Sequence, residues 1–365
     1  MTYLPKVAIL AESLNTHYAG IYTYAKELST ELARDSRGLD FTFIVHELVP
    51  FLPREQQLVL PKGMNFPGSS SMRTFLKMPS KLSKNNFDLV HDLFHIAPFV
   101  GKTAPYKRVI TIHDMTPIKF PKFHVWRGPL VHKLVLPHII EGADSIIAVS
   151  KSTKKDILEY YPSAKNISVI PLAGKSLPEP TGTEVDFPYI LCVATLEPRK
   201  NIETLITAFE KIAGSIPHHL VLVGHVGWKS KSLKLMLRNS EFAHRIHHVG
   251  YTDEQALSNY FTGADLFVYP SQYEGFGMPV IEAMNFGIPV ILASNSSLLE
   301  VGKDAGVFFS TFDSNDLAEK MKEIIVDREK WEKVGKVGKE KAKEYSWKRT
   351  ADMTCEVYMK LLGEK

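Results

Sequence analysis

Residues Gln272–Val290 read QYEGFGMPVIEAMNFGIPV, with Glu274 and Glu282 eight positions apart around a Gly-Phe-Gly-Met-Pro turn. The turn follows the apolar run DLFVYPS, and Pro279 suits the first turn of a helix continuing through Met284. Glycines let a backbone approach a ligand closely, and a helix start offers unpaired N–H groups and a positive dipole end to an anion. Strand, glycine turn and helix in this order predict a crossover in a parallel sheet, with a diphosphate as natural guest. Carboxylates beside a diphosphate are repelled unless they reach past it to hydroxyls, which sugars carry. The alternative is that Glu274 caps the turn and Glu282 merely favours the helix dipole.

Outward from this stretch the same alternation fills the chain. Strand-like runs KVAILAE, FTFIVHE, FDLVHDL, RVITIHD and SIIAVS precede YILCVAT, HLVLVG, RIHHVG, DLFVYPS and IPVILAS, with helical segments between them. Runs apolar enough to be buried on both faces predict doubly wound parallel sheets. The 365 residues are too many for one typical core and fit two domains. The Pro-, Gly- and Thr-rich stretch PLAGKSLPEPTGTEVDFP separates them. The expected organisation is an N-terminal domain 1–172, a linker 173–187, a second domain 188–345 and a final helix 346–365. From Ser314 onward the chain reads as charged, amphipathic helix, and Ser346 is placed to cap the last one.

Composition excludes several classes. Hydrophobic residues make up 44% and charged residues 23%, which suits an ordinary globular protein. No apolar run approaches the roughly 20 residues of a membrane span, and the start MTYLPKVAILAESLN lacks a basic segment followed by a cleavage site, so a cytoplasmic location is expected. Cys192 and Cys355 stand in no motif, which argues against a disulfide framework and for core filling. Net charge is only +4, yet residues 1–175 carry 22 Lys+Arg against 14 Asp+Glu, and the remainder 22 against 26. The two halves differ electrically.

In open α/β sheets ligands bind beyond the carboxyl ends of the strands. After YILCVAT, Arg199 and Lys200 stand where the strand ends, with Asn201 placed to cap the next helix, so two cations face the same crevice as the Gly-Phe-Gly turn. They are suited to a diphosphate that leaves with growing charge; a solvated basic turn is the alternative. After RVITI come His113 and Asp114, a dyad or half a metal site by type, or else a histidine hydrogen-bonded within a strand-end turn. No further His or Asp follows at ligand spacing and no Asp-x-Asp occurs, so no metal is expected. NTHYAGIYTYAKEL after the first strand lacks a G-x-G-x-x-G fingerprint, which weakens a dinucleotide oxidoreductase; Gly20 either meets a ligand or makes a plain left-handed turn.

Glu274 and Glu282, with seven residues between them, resemble the E-x7-E motif of the retaining glycosyltransferases of family 4. LEPRKN, HVGY, PSQYEGFGMPVIEAMNFGIPV and SNSSLLEVGKDAG lie in that family's order, and HDMTP, Gly20 and AVSKSTKKDI extend the resemblance over nearly the whole chain. The resemblance implies the GT-B fold, two Rossmann-like domains facing a cleft, with a last helix crossing back to the first. It implies that Glu274 contacts donor-sugar hydroxyls, Glu282 holds the ribose, and the backbone of Phe276, Gly277 and Met278 meets diphosphate and sugar. Arg199 and Lys200 match the cationic pair that stabilises the leaving phosphates without metal, and His113 the residue beside the sugar ring. Gly20 and Ser150 fall near the donor, and Gly250 and Tyr251 by the base. In this mechanism the acceptor attacks the face the diphosphate leaves, and a phosphate oxygen takes the proton. No cofactor is implied beyond the nucleotide sugar itself.

HDMTPIKFP with LEPRKN looks like the mannosyltransferase branch, whose usual donor is GDP-mannose; users of UDP-glucose, UDP-galactose and UDP-N-acetylglucosamine share most of these motifs. Residues 61–86 carry Lys62, Arg73, Lys77, Lys81 and Lys84 and no acid, and residues 115–140 carry Lys119, Lys122, Arg127 and Lys133 with Trp126 and no acid. Such segments suit an anionic membrane surface or a solvated basic face, and the expected acceptor is a glycan or lipid-linked saccharide. Other classes fare worse. An epimerase needs a carboxylate base near the anomeric carbon, a non-catalytic nucleotide-sugar-binding subunit would be expected to have lost Glu274, Arg199 or Lys200, and a nucleic-acid binder lacks interleaved aromatic residues.

Overall fold

The computed structural model describes residues 3–15, 19–60, 78–99, 104–124, 127–228 and 230–363. The chain forms two compact units, Met1–Leu172 with Ser346–Lys365, and Ala173–Tyr345.

The first unit is built on a parallel sheet of β1 (Lys6–Leu10), β2 (Asp40–Val45), β3 (Gln57–Val59), β4 (Leu89–Asp92), β5 (Lys107–Ile112), β6 (Ser145–Ala148) and β7 (Ile167–Val169), in the order β3-β2-β1-β4-β5-β6-β7. Its helices are α1 (Ala19–Arg34), α2 (Met78–Lys84), α3 (Thr116–Lys119), α4 (Arg127–Gly142) and α5 (Lys151–Tyr160). β4 and β6 are buried at every position, as strands covered on both faces must be. One core gathers Ile44, Val90, Ile110 and Ile146 from the strands with Leu136, Ile139 and Ile157 from α4 and α5.

The second unit repeats this order over six strands: β8 (Tyr189–Val193), β9 (His219–Val223), β10 (Ile246–Gly250), β11 (Leu266–Tyr269), β12 (Val290–Ala293) and β13 (Val307–Phe309), arranged β10-β9-β8-β11-β12-β13 and all parallel. Its helices are α6 (Ile202–Ala213), α7 (Lys231–Asn239), α8 (Glu254–Gly263), α9 (Met278–Asn285), α10 (Leu298–Gly302), α11 (Ser314–Val326) and α12 (Arg328–Ala342). Leu205, Ile206, Phe209 and Ile212 make one buried stripe along α6 at helical spacing. Aspartates start three of the helices: Asp253, Asp313 and Asp327 each accept backbone N–H bonds of the following turn.

The last helix, α13 (Trp347–Gly363), belongs to the first unit, where it packs beside α1. Ser346 accepts the Arg349 N–H at 3.2 Å, the cap expected from sequence. Trp347, Thr354, Tyr358 and Leu361 are buried, and Arg37 donates to Asp352 at 2.7 Å. A buried polar chain also runs inward: the Tyr358 hydroxyl lies 2.5 Å from His91 Nδ1, His91 Nε2 lies 2.9 Å from the Thr111 hydroxyl, and that hydroxyl 2.9 Å from Tyr24. Burial holds the His91 pKa down at about 3, with His113 adding to it, so the imidazole is neutral.

The stretch after Leu172 is without helix or strand up to Tyr189 but is not loose. Helix α8 holds it: Ser258 donates to Pro178 O, Asn259 accepts the Thr181 N–H at 2.9 Å and donates to Glu184 at 2.9 Å, and Gln255 donates to Glu179 O. Both cysteines are free and buried, one in each unit. Among the described residues no helix is long and apolar enough to cross a membrane.

Candidate active site

In both sheets the strand order reverses once, between β1 and β4 and between β8 and β11, and such a reversal opens a crevice beyond the carboxyl ends of the strands. In the second unit the charged residues singled out from sequence lie at that reversal. Arg199 and Lys200 follow β8, Glu274 follows β11, and the three form one ion cluster. Arg199 donates from one terminal nitrogen to Glu274 Oε2 at 3.0 Å and to Tyr273 O at 2.8 Å. Lys200 Nζ lies 2.5 Å from Glu274 Oε1 and 2.9 Å from the Tyr269 hydroxyl. The Ser271 hydroxyl completes the shell at 2.6 Å from Oε1.

Glu274 is 8% exposed, so these partners decide its protonation. Burial alone would raise its pKa, but the Arg199 and Lys200 charges outweigh it and hold the carboxyl at about 2. Burial, helped by Arg199, draws Lys200 below the ordinary lysine value, with Glu274 opposing. The same burial, with the Glu274 charge, raises the Tyr269 phenol well above its usual value and leaves it a neutral donor.

The turn after Glu274 is clamped from β12. Ser296 Oγ accepts the Glu274 N–H at 3.0 Å, and the Ser297 hydroxyl lies 3.0 Å from Glu274 O and 2.8 Å from Phe276 O. Gly277 sits at φ +107°, where an L side chain is strained, and a Cβ there would meet Leu298 at 3.0 Å. This glycine starts α9, with Pro279 in its first turn. The backbone of Phe276, Gly277 and Met278 therefore leads straight into a helix N-terminus. Four positions on, Glu282 is buried and its Oε1 accepts the Lys175 N–H at 3.0 Å; Gly174 allows this approach, since a Cβ would lie 3.0 Å from Glu282 Cγ.

At the neighbouring strand ends, Gly250 takes φ +85° and its carbonyl accepts the Gly224 N–H at 2.7 Å. Tyr251 is 68% exposed, with its ring stacked on His225 at 4.8 Å and an interplanar angle of 10°. Asn201 departs from expectation. It stands before α6 with left-handed backbone and makes no side-chain cap; its amide donates instead to Pro270 O and Thr311 O, tying the β8 turn to the turns after β11 and β13. The amide is spent on long-range ties, while Oδ1 accepts the Thr204 hydroxyl of its own helix at 2.8 Å.

In the first unit His113 follows β5, and its Nε2 donates to Leu93 O at 2.9 Å, the strand-end arrangement. Tyr24 meets the ring edge-on at 4.8 Å. Burial lowers the His113 pKa against the pull of Leu93 O and Asp114, so the imidazole is neutral with its hydrogen on Nε2. The Asp114 Oδ1 accepts the backbone N–H and the hydroxyl of Thr116. Ser150 caps α5, its Oγ accepting the Thr153 N–H at 2.9 Å. Gly20 is an exposed residue in the first turn of α1 and helical, so the left-handed turn is ruled out. Of the basic segments, Lys62, Arg73, Lys77 and Trp126 lie outside the described residues.

Sequence reading passed over Glu197, Tyr269, Ser271, Ser296 and Ser297. Their signal was position alone: each stands within or just beyond a strand that borders the reversal, or in the SNSSLLE stretch after β12.

Two parallel sheets of this strand order, with a cation-bound carboxylate and a glycine-started helix at one reversal, agree with the GT-B fold of the structures they resemble, and the family models give the class as glycosyltransferase. A family model described as glycosyl transferases group 1 matches residues 175–341, and one described as glycosyltransferase family 4 matches residues 18–173. The chain belongs to glycosyltransferase family 4 and resembles its mannosyltransferase branch. It is 29% identical to O-antigen chain mannosyltransferase B of Escherichia coli over 69% of this chain and 70% of that one. It is 27% identical to the serotype-specific mannosyltransferase WbdA of Escherichia coli over 71% of this chain, but spans only 34% of that protein. Among solved structures, sucrose-phosphate synthase from Thermosynechococcus elongatus matches at TM-score 0.78 and 22% identity, covering 100% of both chains. HepE of Anabaena, solved in complex with UDP-glucose, matches at 0.75 and 16%, covering 97% of this chain and 99% of that one.

Proposed function

We propose that this glycosyltransferase moves mannose from GDP-mannose onto a glycan or lipid-linked saccharide, with retention of anomeric configuration and without a metal. The observation that carries the reading is the Arg199–Glu274–Lys200 cluster beside the start of α9. Two fixed cations and a helix N-terminus are suited to the charge that grows on a leaving diphosphate, and being preorganised they need no rearrangement as it forms. The acceptor attacks the face the diphosphate leaves, and a phosphate oxygen takes its proton, so no side chain need act as nucleophile. Glu274 fixes the cations and reaches the sugar hydroxyls, Glu282 the ribose, and neutral His113 offers a hydrogen-bonding edge to the sugar. Gly250 and Tyr251 serve the base, Gly20 and Ser150 the donor loop. The mannosyltransferase relatives favour mannose.

A UDP-sugar donor is the second reading, favoured by the fold shared with the UDP-glucose complex of HepE. Thermal unfolding with GDP, UDP, ADP and their common sugar conjugates separates the two: a ligand at about 100 times its Kd adds roughly 2.7 kcal/mol. Selective stabilisation by GDP compounds supports mannose, whereas stabilisation by UDP compounds discards it. A shift with none of them points to a non-catalytic subunit. Loss of transfer in EDTA with recovery in Mg2+ would overturn the metal-free mechanism, and an unchanged nucleotide affinity in Glu282→Ala would overturn its ribose role.

The acceptor side is proposed to work at the inner face of a membrane. Helix α4 exposes Leu130, Val131 and Leu134 around Lys133, and Lys122 is exposed just before it. Apolar residues flanked by lysines suit a surface of anionic lipid. Flotation with vesicles of anionic phospholipid and not with neutral ones is expected, and equal recovery with both would reject it.

A further inference from the structure

We infer that Glu197 is a positioning residue for Arg199 and a counter-charge that lets the cation pair release the nucleoside diphosphate. The inference rests on reading the cluster as the diphosphate site. Glu197 directly precedes the turn that carries Arg199 and Lys200, and it is 4% exposed. Its Oε1 lies 3.0 Å from the second terminal nitrogen of Arg199, while the first is given to Glu274 and Tyr273 O. The guanidinium fork is therefore stretched between two carboxylates, one on each side of the strand reversal, and its plane is fixed by both.

The position of Glu197 is itself enforced. Leu196 bridges to Val226, the Gly227 N–H is given to Leu196 O, and a Cβ at Gly227 would come within 3.1 Å of Glu197 Cβ. The backbone after β9 thus packs against the base of the Glu197 side chain, whose carboxylate meets Arg199.

Charge explains what the arrangement does. Arg199 and Lys200 are matched by Glu197 and Glu274, so the four side chains sum to zero before any donor arrives. Without Glu197 the cluster would carry a net positive charge in a buried place. A diphosphate would then be held more tightly in the ground state and after transfer, where tight holding slows turnover. With Glu197 in place the cations keep their aim while their pull on the product is tempered.

The test uses the full chain carrying Glu197→Gln or Glu197→Asp. Affinities for GDP and UDP are measured by calorimetry at two salt concentrations, beside kcat for transfer and thermal unfolding. The Gln variant is expected to bind the diphosphate about three- to tenfold tighter, with steeper salt dependence, while kcat falls about tenfold or more. The Asp variant keeps the charge but is one methylene short, so it should retain ordinary affinity and lose turnover. Unchanged or weaker diphosphate binding in the Gln variant, in folded protein, overturns the counter-charge role, and an unchanged kcat in the Asp variant overturns the positioning role. Should the original chain bind neither GDP nor UDP, the diphosphate reading and this inference fall together; binding that Glu197→Gln leaves unaltered rejects the inference alone.

Discussion

Glu274 is the residue on which most of the candidate site depends, because the half-buried Arg199 and the buried Lys200 share its two oxygens. Its folded pKa of about 2 lies below the ordinary 4.5. A depressed carboxyl contributes stability that is fully present above the unfolded pKa and is lost as pH falls through the folded one. Glu274→Gln should therefore destabilise the chain at neutral pH by about 3–5 kcal/mol, since Arg199 and Lys200 would face each other with one counter-charge fewer. Denaturant titration should show the gap narrowing between pH 4.5 and about 2, and a gap that stays constant would contradict the ion-pair account. Transfer should fall about a hundredfold or more in the same variant. Gly277 gives a second test at this scale. Gly277→Ala forces a side chain to φ +107° against Leu298, at about 1–3 kcal/mol, and should weaken nucleotide affinity more than a similar change at the exposed Gly182. Arg199, Lys200 and Glu274 stood out in the sequence because charges directly after buried strands are unusual. Glu197 and the serines did not, because their types are common and their partners lie 21 to 23 positions away for Ser296 and Ser297, or are shared with a residue already noticed.

Among elements, legibility followed burial. The strands named from apolar runs, such as β4, β6, β11 and β12, are buried at every position. β3, β7 and β13 escaped notice: each is three residues long, lies at a sheet edge and is only partly covered, too short for an apolar run to stand out. Helix α13 yields a prediction of its own. Tyr358→Phe removes the hydroxyl facing His91 Nδ1 in a fully buried place, and an unpaired buried polar group costs about 1–3 kcal/mol. Unfolding should register that loss while nucleotide affinity, proposed to rest mainly on residues of the second unit, stays the same; a drop in affinity would show that the helix does more than anchor. The segment held by α8 supplies another. Asn259→Ala removes the bonds to Thr181 and Glu184, and limited proteolysis should then cut between these residues faster than in the unaltered chain. Equal rates would mean that Ser258 and Gln255 suffice.

At the scale of the whole molecule, sequence reading reached the two parallel sheets because the β-then-α rhythm is repeated from end to end. The linker was read from Pro and Gly content, and composition carries no trace of the hydrogen bonds that fasten such a stretch to α8. The first unit is written in two pieces, residues 1–172 and 346–365, with the whole of the second between them. During synthesis the second unit leaves the ribosome as one continuous stretch with its strands complete. The first has its seven strands early but waits some 170 residues for the helix that covers Tyr24, His91 and Phe41. Until then that patch has no lid of its own, and a nascent chain is most exposed to chaperones and proteases in this interval. Translation that stops before Trp347 thus leaves the first unit unfinished, whatever the state of the second.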